Sequence, residues 1–239
     1  MTLDEQLEEA RTRLKTICQA SIFEICHRLL HFSDVNEETH GDVINALESN
    51  TRRKLICVPR GCLKSSIACV AYPIWLLVNN PNLRILLDSE LYTNSRTFLR
   101  EIRQHLEGQN FELLFDKFRA EPWNESEITI RQRTKNLKEA SITIGGIGTT
   151  RVGQHYDVIV GDDYNSPSNS NNPENARKVV QHYKYNLSIL EPDGIYVIIG
   201  TRYSEADLIG HVLSNELSID GTPETGIYSS ENLDKLPVV

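Results

Sequence analysis

The sequence predicts an α/β protein with a mostly parallel sheet flanked by helices and an added antiparallel hairpin. Three observations indicate this fold class. Apolar runs short enough to be buried strands alternate with longer segments of helical spacing. One strand leads through a turn and a Lys-Ser pair into an apolar helix, and another ends in the successive carboxylates Asp162 and Asp163. Parallel strands bring such ends to one edge of the sheet, where ligands bind.

Hydrophobic spacing divides the chain into three parts. Residues 1–50 are expected to form a helical segment packed on the core, residues 51–215 carry the strand-helix alternation, and residues 216–239 resemble a linker. In the first part, the Ser33-Asp34 pair is expected to cap a helix over 43–47. The functional core is therefore predicted to lie in the middle part.

Charge and cysteine content exclude several classes of protein. The chain has 25 Lys and Arg against 33 Asp and Glu, a net charge of −8. Phosphate contacts dominate DNA affinity, so any DNA binding would need a local basic surface or a multi-subunit ring. No apolar run reaches the ~20 residues that cross a membrane, and the acidic start is unlike a signal peptide. The five cysteines lack a C-x-x-C pair, which favours reduced thiols in a cytosolic setting.

The central stretch runs from residue 54 to residue 66 and reads K-L-I-C-V-P-R-G-C-L-K-S-S. A strand over 55–58, a short turn, a Lys-Ser pair and a helix over 67–78 follow one another in the order of a phosphate-binding P-loop. The first amides of a helix can hold phosphate oxygens, the lysine reaches the β and γ phosphates, and the serine hydroxyl can ligate Mg²⁺. The predicted nucleotide-binding residues are Pro59, Arg60, Gly61, Cys62, Leu63, Lys64, Ser65 and Ser66.

This stretch matches the G-x-x-x-x-G-K-[ST] pattern imperfectly. The two pattern glycines fall on Val58 and Leu63, and Gly61 lies between them. The alternative interpretation is an ordinary strand-turn-helix junction with a solvated lysine.

A strand is predicted over 83–89 and a helix over 92–106, and Gly108 is the expected C-cap of that helix. A predicted hairpin follows them. Its strands cover 128–131 and 141–144, and its turn is basic, with Arg131, Arg133, Lys135 and Lys138. The turn is either a solvated surface or a DNA contact.

A second motif lies at the end of the strand over 158–160, where the sequence continues Gly161-Asp162-Asp163. Two carboxylates at the carboxyl end of a buried parallel strand are typical of a Walker B motif. Asp162 is expected to order the Mg²⁺ shell, and Asp163 to polarise the attacking water. An acidic turn after a core strand is the alternative, but a P-loop about a hundred residues upstream favours the nucleotide site.

A third strand over 195–199 ends in Gly200-Thr201-Arg202-Tyr203. In a parallel sheet these polar residues would lie beside the γ-phosphate. Ser204 is expected to cap the following helix over 206–213.

These motifs together resemble the ATPase domain of a tailed-phage large terminase, the motor that pumps DNA into an empty capsid. The resemblance rests on V-P-R-G-C-L-K-S, G-x-G-T-T-R-V-G-Q-H-Y-D-V-I-V-G-D-D, and I-I-G-T-R-Y followed by D-L-I-G-H, and covers about residues 35–215. The P-R-G-x-x-K-S loop is similar to the family's deviant Walker A motif. The family usually has a glutamate where Asp163 stands, and its G-T-R-Y segment resembles the coupling motif.

The resemblance implies a RecA-like P-loop fold and Mg²⁺-dependent hydrolysis of ATP. It implies that Arg60 projects from the loop toward phosphate, that Thr201 and Arg202 sense the γ-phosphate, and that Arg151 is an arginine finger for a neighbouring subunit. A surface salt bridge is the alternative role for Arg151. A chain that ends at Val239 is expected to be an isolated motor domain without the family's C-terminal nuclease.

The implied partners are double-stranded DNA, the portal protein, the small terminase subunit and further copies in a pentameric ring, with a monomer in isolation and no membrane. The implied location is the cytoplasm of the infected bacterium and, transiently, the procapsid portal. Two other classes stay open: another P-loop NTPase, such as a helicase-like DNA translocase or a small-molecule kinase, and a nucleotide-binding protein without turnover.

Overall fold

A computed structural model describes residues 2–215 and 226–229 of the chain. Its helices are α1 (Leu3–Ala20), α2 (Ile22–Arg28), α3 (Glu37–Glu48), α4 (Lys64–Ser66), α5 (Tyr72–Asn79), α6 (Tyr92–Leu106), α7 (Gln109–Phe115), α8 (Pro167–Ser170), α9 (Pro173–Ser188) and α10 (Leu208–Asn215). Its strands are β1 (Arg53–Cys57), β2 (Ile85–Ser89), β3 (Arg119–Trp123), β4 (Glu127–Ile130), β5 (Ile142–Ile144), β6 (Tyr156–Asp162), β7 (Leu190–Gly200) and β8 (Gly226–Ser229). No helix among the described residues is long and apolar enough to cross a membrane.

The described strands form one sheet in the order β3-β4-β5-β2-β6-β7-β1-β8. The five central strands, in the order β5-β2-β6-β7-β1, are parallel to one another. At one edge β3 and β4 pair antiparallel, as do β4 and β5, and at the other edge β8 is antiparallel to β1. The predicted mostly parallel sheet with an added antiparallel hairpin is therefore confirmed.

The core lies on both faces of the sheet because the buried strand residues alternate between them. In β7, Val197 and Ile199 face the cluster that includes residues of α2, α3 and α6, while Tyr196 and Ile198 face the cluster with α9 and α10. The parallel strands are thus covered on both sides. Polar residues can therefore lie together at the edge of the sheet that the carboxyl ends of these strands form.

The N-terminal helices join the first of these two clusters. Lys54 at the start of β1 is buried, and its ammonium group donates to the carbonyl oxygens of Leu47 at 2.6 Å and Ser49 at 2.8 Å. Buried charge is costly unless it is hydrogen-bonded, so these contacts tie the end of α3 to the sheet.

A π-helical turn, Ile67–Ala71, joins α4 to α5. The Tyr72 amide donates to the carbonyl of Ile67, five residues back. Pro73 has no N–H and its ring would clash with the carbonyl four residues earlier in a regular α-helix. The wider turn accommodates the proline, and the helix that follows the predicted P-loop continues without a break.

Several expected boundaries differ from the structure. The helix predicted over 43–47 begins at Glu37 and is capped by Asn36, whose side chain accepts from the Thr39 amide, rather than by the Ser33-Asp34 pair. Gly108 is not a C-cap but the N-cap of α7.

Two strands went unpredicted. β3 reads R-A-E-P-W and has no clear alternation, as befits an edge strand with a proline. Residues 226–229 pair with β1 within the stretch expected to be linker-like. The rest of that stretch, 216–225 and 230–239, lies outside the described residues.

Candidate functional site

Three loops leave the same edge of the sheet side by side. Within the strand pairs, Cys57 lies opposite Gly200, and Asp162 lies opposite Ile199. The loop after β1, the acidic pair after β6 and the polar segment after β7 therefore emerge next to one another. This arrangement brings the three predicted motifs together.

The loop after β1 has a backbone that few side chains favour. Gly61 has a φ of 88° and Leu63 a φ of 46°. A left-handed conformation costs an ordinary L-residue roughly 1–2 kcal/mol, and such local strain is often found at ligand sites. Leu63 thus adopts the left-handed turn that a glycine of the P-loop pattern could adopt without cost.

The helical segment begins directly after this loop, with no side-chain cap at Leu63. Lys64 is 6% exposed, and its ammonium group donates to Thr201 Oγ1 at 3.1 Å. The acceptor is a neutral hydroxyl, so the buried positive charge suits an anionic ligand such as a phosphate group. The first amides of a helix have no partner within the helix and can add donors to such a site.

Ser65 and Asp162 form the candidate magnesium site. The Ser65 hydroxyl donates to Asp162 Oδ1 at 2.7 Å. Burial raises the pKa of the Asp162 carboxyl to about 7, and the neighbouring Asp163 adds to the rise, while the Ser65 hydrogen bond and Lys64 oppose it. One hydroxyl and one carboxylate fit Mg²⁺, which usually keeps few protein ligands and takes its others from phosphates and water.

Asp163 has an unusual backbone and an orphaned oxygen. Its φ is 40°, and its amide donates to the carbonyl of Ile199 at 2.8 Å. Its Oδ1 is buried without a hydrogen-bond partner among the described residues. A Cβ added to Gly200 would lie 3.2 Å from that oxygen. The glycine therefore leaves room for the carboxylate at the edge where an attacking water would have to lie.

Arg60 lies at the mouth of the site rather than inside it. Its side chain is exposed, donates to the Tyr203 hydroxyl and lies 5.7 Å from the centre of that ring. Arg202 is half-buried, and its Nε lies 3.5 Å from the carbonyl oxygen of Ser204. Of the two predicted γ-phosphate sensors, the structure brings Thr201 to Lys64 and turns Arg202 toward its own loop.

Asp207 holds this loop and was missed by the sequence reasoning. It is 1% exposed and accepts from the amides of Tyr203 at 2.8 Å, Ser204 at 3.0 Å and Gly210 at 2.9 Å. The cap predicted for Ser204 therefore belongs to Asp207, while the Ser204 hydroxyl faces the carbonyl of Ser170 at 3.4 Å. An aspartate just before an apolar helical run is a capping signal that could have found it.

A buried polar network holds Tyr164, the residue that follows Asp162 and Asp163 in the chain. Asp88 at the end of β2 accepts from His182 Nε2 at 2.6 Å, Asn186 Nδ2 at 2.6 Å and the Tyr164 hydroxyl at 2.9 Å. Burial raises the pKa of Tyr164 well above its usual value, so its hydroxyl stays a donor. The network fixes the residue after Asp163, and nothing in the local sequence pattern links its members.

Arg151 lies apart from this site. Its guanidinium donates to Thr149 Oγ1 at 2.9 Å and to the carbonyl of Ile144, at the end of β5. Three strands, β2, β6 and β7, separate β5 from β1. At about 4.8 Å per strand, the two strand ends are roughly 19 Å apart. The structure thus does not bring Arg151 to Lys64 of the same chain.

Comparisons with known proteins support the fold. The solved structure of the HK97 bacteriophage large terminase matches 76% of this chain with a TM-score of 0.53 and 12% sequence identity. A structure of S. cerevisiae Dbp5, in a complex that includes ADP, covers 80% of the chain with a TM-score of 0.49 and 11% identity. The chain spans 37% of the first protein's length and 48% of the second's. No protein-family model and no curated protein sequence matches. The likeness to the first structure shows that this chain shares its fold, in agreement with the predicted RecA-like fold class.

Proposed function

We propose that this chain hydrolyses ATP with Mg²⁺ and uses that reaction to move double-stranded DNA, as the motor domain of a viral genome-packaging terminase. One observation carries the proposal: a buried lysine, a serine-aspartate pair and an aspartate oxygen that has no partner in the described part of the chain converge at one edge of the sheet. These are the groups that phosphoryl transfer to water requires.

Each residue has a role in the proposed reaction. Lys64 and the first helix amides bind the β and γ phosphates and neutralise the charge that develops between them. Ser65 and Asp162 would hold Mg²⁺, which supplies the remaining charge neutralisation. Asp163 would accept a hydrogen bond from the attacking water and orient it. Thr201 contacts Lys64, and through this contact hydrolysis of the γ-phosphate would change the position of the loop held by Asp207.

The DNA-packaging part of the proposal rests on the sequence motifs and on the similarity to the large terminase of HK97 bacteriophage. It includes the portal protein and the small terminase subunit as partners and a ring of five copies at the procapsid. The proposed location is an infected bacterium. Arg151 would act on the nucleotide of a neighbouring copy in such a ring, since it lies far from its own.

Steady-state ATP hydrolysis with and without duplex DNA tests the proposal. We expect Mg²⁺-dependent phosphate release that rises when linear duplex is added, and a smaller rise with single-stranded DNA of the same length. A basal rate at the level of buffer would overturn the ATPase assignment.

The same assay addresses the alternatives. A rate that rises only with single-stranded nucleic acid, together with strand separation, would favour a helicase-like translocase. Tight ATP binding without turnover would favour a nucleotide-binding protein.

A further inference from the structure

One face of α6 carries a concentration of positive charge that the proposed ATP site does not use. Its buried face, formed by Ser95, Leu99, Ile102 and Leu106, packs toward the sheet. At 100° per residue, Arg96, Arg100 and Arg103 fall on one stripe of the remaining surface, with Thr93 and Thr97 beside them. These five side chains and Glu125 line a groove of about 320 Å³.

Among the described residues, acidic side chains hold these arginines only loosely: Glu125 pairs with Arg96, and Glu101 interacts electrostatically with Arg100. Arg96 pairs with Glu125, but the two side chains are 50% and 70% exposed, and exposed pairs are worth only ~0–1 kcal/mol. Arg103 donates to the carbonyl of Asn124 at 3.3 Å, and its Nε is buried without a partner among the described residues. Arg100 is exposed. The positive charge of the groove is therefore available to bind an anionic ligand.

We propose that this face of α6, which we call the arginine groove, binds the phosphodiester backbone of duplex DNA. The inference rests on the proposed function, because it names the surface through which the motor would hold its DNA. Guanidinium groups bind phosphate oxygens through two hydrogen bonds at once. The Thr93 hydroxyl can add a donor, whereas the Thr97 hydroxyl donates to the carbonyl of Thr93. From Thr93 to Arg103 the helix rises about 15 Å, enough to follow several phosphates of one strand.

The lining favours a nucleic acid over an acidic protein. Protein interfaces are centred on buried aromatic or aliphatic anchors, whereas the arginine groove is lined by arginine, threonine and one glutamate. Within a chain of net charge −8, three arginines on one helix face are a local concentration of positive charge. In the other basic group, the turn over 131–138, Arg133 and Lys138 already donate to backbone carbonyls. A polyanion would be drawn to this surface and repelled from most others.

The position of the arginine groove fits a motor. The start of α6 packs against the loop after β5, since a Cβ on Gly146 would lie 2.5 Å from the amide nitrogen of Tyr92. That loop continues to Arg151 at the same edge of the sheet as the nucleotide site. A change at a neighbouring subunit's nucleotide that moved Arg151 would therefore act close to the helix that holds DNA.

The test is duplex binding, measured by fluorescence anisotropy with a labelled 30-base-pair probe over a range of salt concentrations. The Arg96→Gln/Arg100→Gln double variant removes two exposed charges, and Arg13→Gln/Arg52→Gln removes two exposed charges elsewhere as a matched control. We expect the first variant to bind at least about tenfold more weakly. Its log affinity should depend on log salt with a slope smaller by about 2, one for each phosphate that the variant no longer neutralises. The control variant should bind like the wild type.

Three results would overturn the inference: equally weakened binding in both double variants, wild-type affinity in the groove variant, or no duplex binding by the wild type at low salt. Competition by poly-glutamate as effective as that by unlabelled duplex would also overturn it, in favour of an acidic protein partner. Basal ATP hydrolysis without DNA is measured in parallel and should be unchanged in both variants. A failed binding test with intact hydrolysis would thus reject the arginine groove and leave the ATPase assignment standing.

Discussion

The Lys64 ammonium group and the Thr201 hydroxyl lie 3.1 Å apart, although 137 positions separate the two residues in the chain. They meet because β1 and β7 are adjacent parallel strands whose last residues, Cys57 and Gly200, lie opposite one another. The contact joins the loop after β1 to the segment held by Asp207. In the proposed function, it would link a change at the bound phosphates to that segment.

Thr201→Val should lower kcat about three- to tenfold, since valine keeps the shape and removes one hydrogen bond worth ~0.5–1.5 kcal/mol. The KM for ATP should change less, because the loop amides and Lys64 remain. Thr201→Ser keeps the hydroxyl and should retain most of the activity. Wild-type kinetics in the valine variant, or an equal decrease in both variants, would contradict the proposed role of the hydroxyl.

Asp163→Asn should bind ATP and turn it over about 10²–10⁴-fold more slowly, because an amide cannot serve as the carboxylate base. Asparagine tolerates a positive φ, so the backbone at this position should be kept. Asp162→Asn should instead raise the Mg²⁺ concentration needed for nucleotide binding. Single-turnover assays and Mg²⁺ titrations separate the two effects. Normal hydrolysis by Asp163→Asn would place the base elsewhere, and the next residue to test would be Glu205, an exposed carboxylate between β7 and α10.

Asp207→Ala should destabilise the protein and slow turnover, because one buried amide and two part-buried amides would be left without their charged acceptor. A decrease of at least about 2 kcal/mol in the free energy of unfolding is expected, which corresponds to a drop in Tm of roughly 4–8 °C for a domain of this size. We expect kcat to fall more than nucleotide affinity does, since the loop that carries Thr201 is released while the phosphate-binding loop stays. Asp193→Ala, at an exposed carboxylate, is the control. Equal decreases in binding and turnover would indicate a purely structural role.

Arg151→Ala should fold, bind ATP and hydrolyse it slowly, if the arginine completes the site of a neighbouring copy. A finger of this kind is worth ~10³–10⁵ in rate. The decisive test mixes Arg151→Ala, which has an intact nucleotide site, with Lys64→Ala, which has an intact arginine. Mixed assemblies should regain part of the activity that each variant lacks alone. No recovery in mixtures shown to co-assemble would argue for a role within the same chain or for none.

The sequence predicted those parts of the site that are local in the chain. Strand, turn, Lys-Ser and helix occur in the order expected, and the acidic pair follows a buried strand, because hydrophobic spacing and turn residues are properties of neighbouring positions. The class of fold was accessible for the same reason. Repeated strand-helix alternation leaves few arrangements other than a parallel sheet.

The features that were missed depend on contacts between distant positions. Asp88, His182 and Tyr164 meet only because β2, β6 and α9 converge, and no spacing along the chain indicates this. The contact between Arg60 and Tyr203 likewise follows from the neighbouring ends of β1 and β7. β3 was not predicted because its five residues include a proline and two charged side chains and do not show the apolar alternation of a half-buried strand.

The most direct test of the central claim compares ATP hydrolysis by the wild type, Lys64→Ala and Lys178→Ala under saturating Mg²⁺. Lys64 is the buried cation of the proposed phosphate site, whereas Lys178 is 59% exposed on α9. The account predicts hydrolysis by the wild type and by Lys178→Ala. It predicts background rates for a folded Lys64→Ala, with weakened ATP binding as well, because charge-assisted hydrogen bonds worth ~1.5–3 kcal/mol each are removed. Undiminished hydrolysis by folded Lys64→Ala would contradict the account.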